Sequence, residues 1–287
     1  MLVLTSEIVQ GVWQTVVTMA ATGGVWFAFG CSDPDVFFGA HYLDAPQDQV
    51  AAEAETEAPM DVDAQDRSDD TPDDTSDGGG SFAGLVMGLS MSEGSGESVR
   101  DSSPNGNIGT IVGAIWAEGR FGTALEFDGV EDRVIVDEAP SLQLTRHVTI
   151  EAWIYPMRAA PGGYQNILVK ESNQSYALYM FVSEAAGRIQ TLEVGPADLH
   201  SGPTFVPVGV WTHIASTYDG SELRVYVNGA SAGVLAAAGT INARSGEVRI
   251  GHGRGNVPFN GRIDEVRLYN RALSAEEIGV DMMRSVE

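Results

Sequence analysis

Four aspartates, two aromatics in glycine- and proline-rich segments, and an acid–histidine stretch are the residues of this chain that could do binding chemistry. Asp264 shares strand parity with Val266 and Leu268, so a regular strand turns it toward the core. A buried carboxylate needs a cation, hydrogen bonds or a proton. Asp128 stands at an Asp-Gly turn with Glu131 and Asp132 just beyond, and Asp101 opens a polar run that ends at Asn107. Calcium takes several oxygens from carboxylates and backbone carbonyls, and turns supply both. Two competing assignments stay open. Asp128 could accept turn N–H groups alone, and Asp264 could pair with Arg262 or Arg133.

Tyr164 follows Pro161-Gly162-Gly163, and Phe259 follows Pro258 between Asn256 and Asn260. An aromatic face on a loop stacks on a sugar ring while a nearby Asn or Asp reads its hydroxyls. The same aromatic can instead fold back over a sheet edge. The Ala197-Asp198-Leu199-His200 segment, read as a loop, adds Asp198 and His200 as ligand candidates. The five histidines, His41, His147, His200, His213 and His252, show no zinc spacing. His213 reads as a structural, hydrogen-bonded strand residue. The glycine run Gly251-His252-Gly253-Arg254-Gly255 follows a strand but precedes no helix, which argues against a phosphate cradle.

The elements that must position these residues are strands. Val148 to Met157 is the longest apolar-rich strand, and Leu223, Val225 and Val227 alternate with Arg224 and Tyr226. Asp128-Gly129, Asp219-Gly220 and Asn228-Gly229 sit between strand-like runs and accept the positive φ of tight turns. Short strands with glycine-rich turns predict an all-β, two-sheet sandwich or barrel from Phe82 onward. One helix is expected at the end, where Ser274 and Glu277 form a capping box.

Charge separates this domain from what precedes it. The net charge is −24, and residues 32–80 hold fifteen Asp or Glu against one Arg. That segment buries too little apolar surface to offset chain entropy and reads as a disordered, acidic linker. A single lysine, Lys170, stands in the whole chain, which argues against nucleic acid. One cysteine, Cys31, leaves no intramolecular disulfide. It closes an apolar stretch, and Ala28-Phe29-Gly30-Cys31 resembles a bacterial lipoprotein lipidation box. Alternatively residues 8–29 form an uncleaved anchor, since about 20 apolar residues span a bilayer. The organisation is then a signal or anchor over 1–31, the linker over 32–80, and a folded domain over 82–287. An exported, membrane-anchored protein of a bacterial envelope or surface follows from that order.

Five segments of the domain resemble one family in sequence order. They are Ser92 to Gly96 with Asp101 to Asn107; Phe121-Gly122-Thr123-Ala124-Leu125-Glu126-Phe127-Asp128-Gly129; Val148 to Pro156; Trp211 to Gly220 with Tyr226-Val227-Asn228-Gly229; and Gly261-Arg262-Ile263-Asp264-Glu265-Val266-Arg267-Leu268-Tyr269-Asn270-Arg271-Ala272-Leu273-Ser274. Together they resemble the laminin-G-like jelly-roll domains of the concanavalin A-like lectin/glucanase superfamily. The resemblance implies two antiparallel sheets in jelly-roll order and a mostly non-catalytic domain that binds glycans or proteins, often with a calcium ion. It would bring Asp128 and Asp264 into one structural calcium site, with Asp132 or Asp101 joining. Ser92 departs from the carboxylate usual before Glu93-Gly94-Ser95-Gly96.

The expected function is a surface-tethered binding module for a carbohydrate or a surface protein. A structural or adhesion component without a small ligand is the first alternative. A polysaccharide hydrolase or lyase is the second, and it needs two carboxylates flanking the scissile bond. Catalytic glucanases of the superfamily place theirs on one strand as Glu-x-Asp-x-x-Glu, and that pattern is read as absent from this sequence. No Gly-x-Ser-x-Gly elbow is present, and Cys31 lies outside the domain.

Overall fold

A computed structural model describes residues 2–9, 12–21, 24–30, 82–159, 162–170, 175–253, 255 and 257–287. The chain divides into two units, Met1–Asp74 and Thr75–Glu287. In the first, β1 (Leu2–Val9), β2 (Val12–Ala21) and β3 (Gly24–Gly30) pair as an antiparallel meander. The stretch expected as a signal or anchor therefore falls largely on strands. Cys31 and the linker over 32–80 lie outside the described residues. Among the described residues, no helix is long and apolar enough to cross a membrane.

Among the described residues, the second unit holds sixteen strands. Its first half holds β4 (Leu85–Leu89), β5 (Ser98–Val99), β6 (Gly109–Val112), β7 (Ile115–Glu118), β8 (Thr123–Asp128), β9 (Arg133–Val136), β10 (Val148–Pro156) and β11 (Tyr164–Lys170). Its second half holds β12 (Tyr176–Phe181), β13 (Glu184–Thr191), β14 (Gly195–Phe205), β15 (Thr212–Tyr218), β16 (Glu222–Val227), β17 (Ala230–Ala236), β18 (Val248–Ile250) and β19 (Asn260–Tyr269). One sheet runs β17-β16-β15-β10-β19-β8-β7, with β4 beside the second half of β19. The other runs β14-β13-β12-β11-β18-β9-β6-β5. All their ladders are antiparallel, so the expected two-layer sandwich is the observed fold.

Alternation decides which side chains fill the space between the layers. Ile150, Ala152 and Ile154 of β10 face Leu168, Leu178 and Ile250 of the other sheet in one continuous core. Leu223, Val225 and Val227 join it, as their spacing predicts. Each such aliphatic side chain contributes roughly 1.5–3 kcal/mol by leaving water. The Asn228-Gly229 hairpin has φ 50° and 77°, the left-handed pair that a two-residue turn needs.

The final strand does not keep its parity. Glu151 pairs with Arg267, but Trp153 pairs with Asp264, so β19 holds one extra residue between them. Glu265 takes it up with φ 52°. Ile263, Val266 and Leu268 all reach the core as a result. Asp264 instead shares the outer face with Trp153, its directly opposed partner, which corrects the core placement expected from parity with Val266.

That outer face is closed by the C-terminus. The helix α1 (Ala275–Asp281) starts on the expected capping box, in which Ser274 Oγ accepts from the Glu277 N–H at 3.2 Å and Glu277 Oε2 accepts from the Ser274 N–H at 2.8 Å. Ile278, Leu273 and Val286 pack on Leu85, Ala215 and Tyr269. Beside them, Arg267 donates to Glu265 Oε2 at 2.8 Å, to Glu151 Oε1 at 3.2 Å and to the Asp281 carbonyl at 2.7 Å. Glu265 also accepts from Ser285 Oγ and the Val286 N–H. One guanidinium thus serves two buried carboxylates. Burial raises the Glu151 carboxyl to about 8, with Arg267 opposing and Asp281 adding to the rise. His213, also buried, is depressed to about 3 by burial and by Arg267. Its Nε2 lies 3.7 Å from Glu151 Oε2, and its ring meets Trp153 edge-on at 5.4 Å. The hydrogen-bonded role expected for the His213 side chain is replaced by this packing, since neither ring nitrogen has a hydrogen-bond partner among the described residues.

Candidate functional site

The helix and tail cover the part of one sheet around Leu85, Ala215, Tyr226 and Tyr269, and the outer face of the other sheet gathers a cluster of polar and aromatic groups. Tyr164 opens β11 and faces Phe181 across the ladder. Tyr179 and Phe181 alternate on β12, Glu184 and Arg188 stand on β13, and Asp198 and His200 stand on β14. The register joins them: Phe181 opposes Glu184, Ala186 opposes His200, and Arg188 opposes Asp198. Val169, Ala177, Tyr179 and Ala186 form the buried floor on which Tyr164 and Phe181 rest, half-exposed.

The rings are close and inclined. Tyr164 lies 4.8 Å from Phe181 at 44°, 5.2 Å from Tyr179 at 56° and 5.6 Å from His200 at 59°. Phe181 meets His200 at 4.7 Å and 83°. Polar bonds lock the cluster. The Tyr164 hydroxyl sits 3.1 Å from His200 Nε2, and His200 Nδ1 sits 3.1 Å from Glu184 Oε2. Arg188 grips Asp198 with two bonds, Nε to Oδ1 at 2.5 Å and Nη2 to Oδ2 at 2.8 Å. This grip raises the Arg188 pKa, with burial opposing. Burial and then the Asp198 charge raise the Tyr164 hydroxyl, so the phenol stays a neutral donor and acceptor. Val182 and Phe205, both exposed, extend the apolar surface at the adjoining end of the ladder.

Three of the five ligand residues expected from sequence, Tyr164, Asp198 and His200, come together here. They do so from strands, which corrects the loop reading of 197–200 and of Tyr164. Phe259 does not join them. It is 1 % exposed within the inter-sheet core, so its ring is unavailable for stacking. The Phe259 N–H donates to the Gly251 carbonyl, which draws the segment inward instead of leaving it as a projecting loop. Asn256 lies outside the described residues. Phe181, Tyr179, Arg188 and Glu184 were not foreseen. The i, i+2 spacing of Tyr179 and Phe181 in an alternating strand was the signal for the first two.

Of the four calcium candidates, Asp128 and Asp132 are in contact, while Asp101 and Asp264 bond other segments. Asp101 accepts from the N–H groups of Gly88, Ser103 and Asn107 and from Ser103 Oγ, which uses both oxygens to fold its own loop. Asp128 Oδ1 accepts from the Val130 N–H, the turn role that was its alternative. Asp132 Oδ2 accepts from the Asp128 N–H, and burial raises its carboxyl. Asp264 Oδ2 accepts from the Arg120 and Phe121 N–H groups at 2.7 and 3.0 Å, and burial raises its carboxyl to about 7. Asn260, not Asp264, is the residue opposite Asp128. Among the described residues no group of three or more His, Cys, Asp or Glu could hold a metal ion.

The spacing Glu-x-Asp-x-x-Glu does occur once, at Glu126, Asp128 and Glu131, which corrects its reading as absent. It is not carried on one strand, because β8 ends at Asp128 and Glu131 lies past the turn. Glu126 is engaged by Arg262 at 2.9 Å.

Comparison with known proteins agrees with this architecture. The Laminin_G_3 family, described as the Concanavalin A-like lectin/glucanases superfamily, matches residues 128–279, just over half of the chain. No curated protein matches. Among solved structures, the binding domain of Paraclostridial Mosquitocidal Protein 1 aligns at 19 % identity and TM-score 0.59, over 69 % of this chain and 51 % of that one. Domain 4 of AbnA, an extracellular GH43 arabinanase from Geobacillus stearothermophilus solved with arabinotriose, aligns at 19 % identity and TM-score 0.56, over 69 % of this chain and 97 % of that one. The binding domain of botulinum neurotoxin serotype G aligns at 13 % identity and TM-score 0.56, over 69 % of this chain and 51 % of that one. This chain thus spans about half the length of the two toxin domains and nearly all of the arabinanase domain. At these identities the likeness establishes a shared fold. The matched family profile goes further: the chain belongs to the Laminin_G_3 family of the concanavalin A-like lectin/glucanases superfamily.

Proposed function

We propose that residues 82–287 are a non-catalytic carbohydrate-binding module whose ligand lies on the outer face of the β14-β13-β12-β11 ladder. The observation that carries this is the convergence of Tyr164, Phe181 and His200 beside the Arg188–Asp198 ion pair and the His200–Glu184 hydrogen bond. Inclined aromatic faces cover the apolar C–H face of a sugar, and the adjoining oxygens and N–H groups read its hydroxyls. The module would be exported and tethered through Cys31 or the apolar segment before it, with the acidic stretch as spacer. The test is retention of the full chain on a glycan array, with Tyr164→Ala as the site variant and mass spectrometry of the mature N-terminus for the tether. Binding lost in the variant supports the module, and a glycan-blank array with capture of a protein supports the second reading. That reading, a surface-protein ligand, is favoured by the exposed Val182, Phe205, Val208 and Val210.

A further inference from the structure

The ring angles and the charge pairing at this site define the kind of sugar it takes. Resting on the carbohydrate-binding reading above, we infer that the ligand is a short, soluble, uncharged oligosaccharide, held by one ring at a time.

Ring geometry sets the first limit. A flat polysaccharide surface needs coplanar aromatic faces spread along it. Here the rings lie 4.7–5.6 Å apart and are inclined by 44–83°. Such rings cannot share a plane, and together they cover an area of roughly one sugar unit. They form a small, angled seat.

Charge sets the second limit. An acidic sugar needs a cation free to take its carboxylate, preferably an arginine edge. The Nε and Nη2 edge of Arg188 is already filled by Asp198. Arg249, on the same face, donates to Glu247 at 2.7 Å. Arg133, further across on β9, donates Nη1 to the Glu131 carbonyl at 2.8 Å. Lys170 is fully buried and directed to Glu138 and Gly246. An anionic ligand would have to displace Asp198 and leave its half-buried carboxylate unpaired, because among the described residues the two arginines nearest the aromatic rings, Arg188 and Arg249, already hold carboxylates. An uncharged sugar needs neither. It needs donors and acceptors in alternation, which Glu184, His200, Tyr164 and Asp198 supply.

The experiment is affinity electrophoresis and titration calorimetry on the full chain with three probe sets. These are neutral arabino-, xylo-, gluco- and manno-oligosaccharides of three to five units, the corresponding uronate oligomers, and microcrystalline cellulose. The inference expects binding to a neutral soluble probe, weakened roughly tenfold or more by Tyr164→Ala and by Phe181→Ala. Tighter binding to uronates, or binding to the crystalline solid alone, overturns the ligand class and leaves carbohydrate binding standing. Neutral binding that survives both variants overturns the site. No retention on any of the three sets overturns the underlying functional reading as well. Thermal midpoints control for folding, and where an alanine variant is unfolded, Phe181→Leu and His200→Gln carry the same comparison.

Discussion

Arg267 and Glu265 form an ion pair at 2.8 Å with both side chains fully buried, two positions apart on the strand that closes the sandwich. Two neighbours on one regular strand face would make the same contact in water and gain little. Here the pair is capped by the Val286 N–H, Ser285 and the Asp281 carbonyl, so it fastens the C-terminal tail to the sheet.

Arg267→Met is expected to destabilise the domain by about 3–5 kcal/mol, because it leaves Glu265 buried without a counter-charge. Hydrogen exchange should show lost protection first at residues 275–287. Urea unfolding measures the total, and Arg267→Met with Glu265→Gln should recover part of it. A tail that stays protected in the single variant would refute the fastening role.

Stability should fall as pH rises from about 4.5 toward 8. Glu151 keeps its proton in the folded chain up to about 8 and loses it near 4.5 when unfolded, so the folded state binds more protons across that window. The contribution is complete below the lower value and gone above the upper one. Asp264, raised from 3.8 to about 7, acts in the same direction. His213 acts oppositely between about 3 and 6.5, since burial keeps it neutral when folded. Glu151→Gln should gain stability relative to the parent chain between pH 5 and 8. Parallel pH profiles for the two proteins would sink this account.

Asp198→Asn should change the ligand class. The variant frees the bidentate edge of Arg188 and adds one positive charge to the aromatic face. Because both side chains are about one quarter exposed, the stability cost should be about 1 kcal/mol or less. Uronate oligomers should then bind where they did not before. No gain for uronates would show that the charge pairing does not set specificity.

Chelation addresses calcium directly. Asp101, Asp128, Asp132 and Asp264 each accept bonds from separate backbone N–H groups. The melting midpoint is therefore expected to be the same in EDTA as in added calcium. A rise of several degrees with calcium, together with metal found by elemental analysis, would restore a resident ion.

Gly251→Ala should cost roughly 2 kcal/mol or more. Gly251 has φ 82°, and an added Cβ would stand 2.3 Å from the ring of Phe127, itself part of the packed core. Denaturant midpoints read the loss directly.

The hairpins, the capping box at Ser274 and the strand alternation at Leu223 to Val227 were legible because each is a local rule satisfied by adjacent residues. The Glu265 bulge was not. A glutamate with positive φ has no signature in sequence, and only pairing with β10 reveals the extra residue that reversed the facing of Asp264. The candidate face was half legible. Tyr164, Asp198 and His200 had the right chemistry, but three successive ladders from β11 to β14 are needed to bring them together. Phe259 misled because proline and asparagine neighbours mark a loop in composition, while its burial depends on distant partners such as Gly251.

Phe82, at the start of the domain, lies against the Arg284 guanidinium, 3.9 Å from cation to ring. Entry and exit of the folded region are therefore neighbours. A polypeptide that leaves where it arrived can be spliced between other modules without stretching its hosts, and a pull on either end is borne locally by β4 and the closing strand. The β11–β14 ladder, in the opposite layer, would be spared that load.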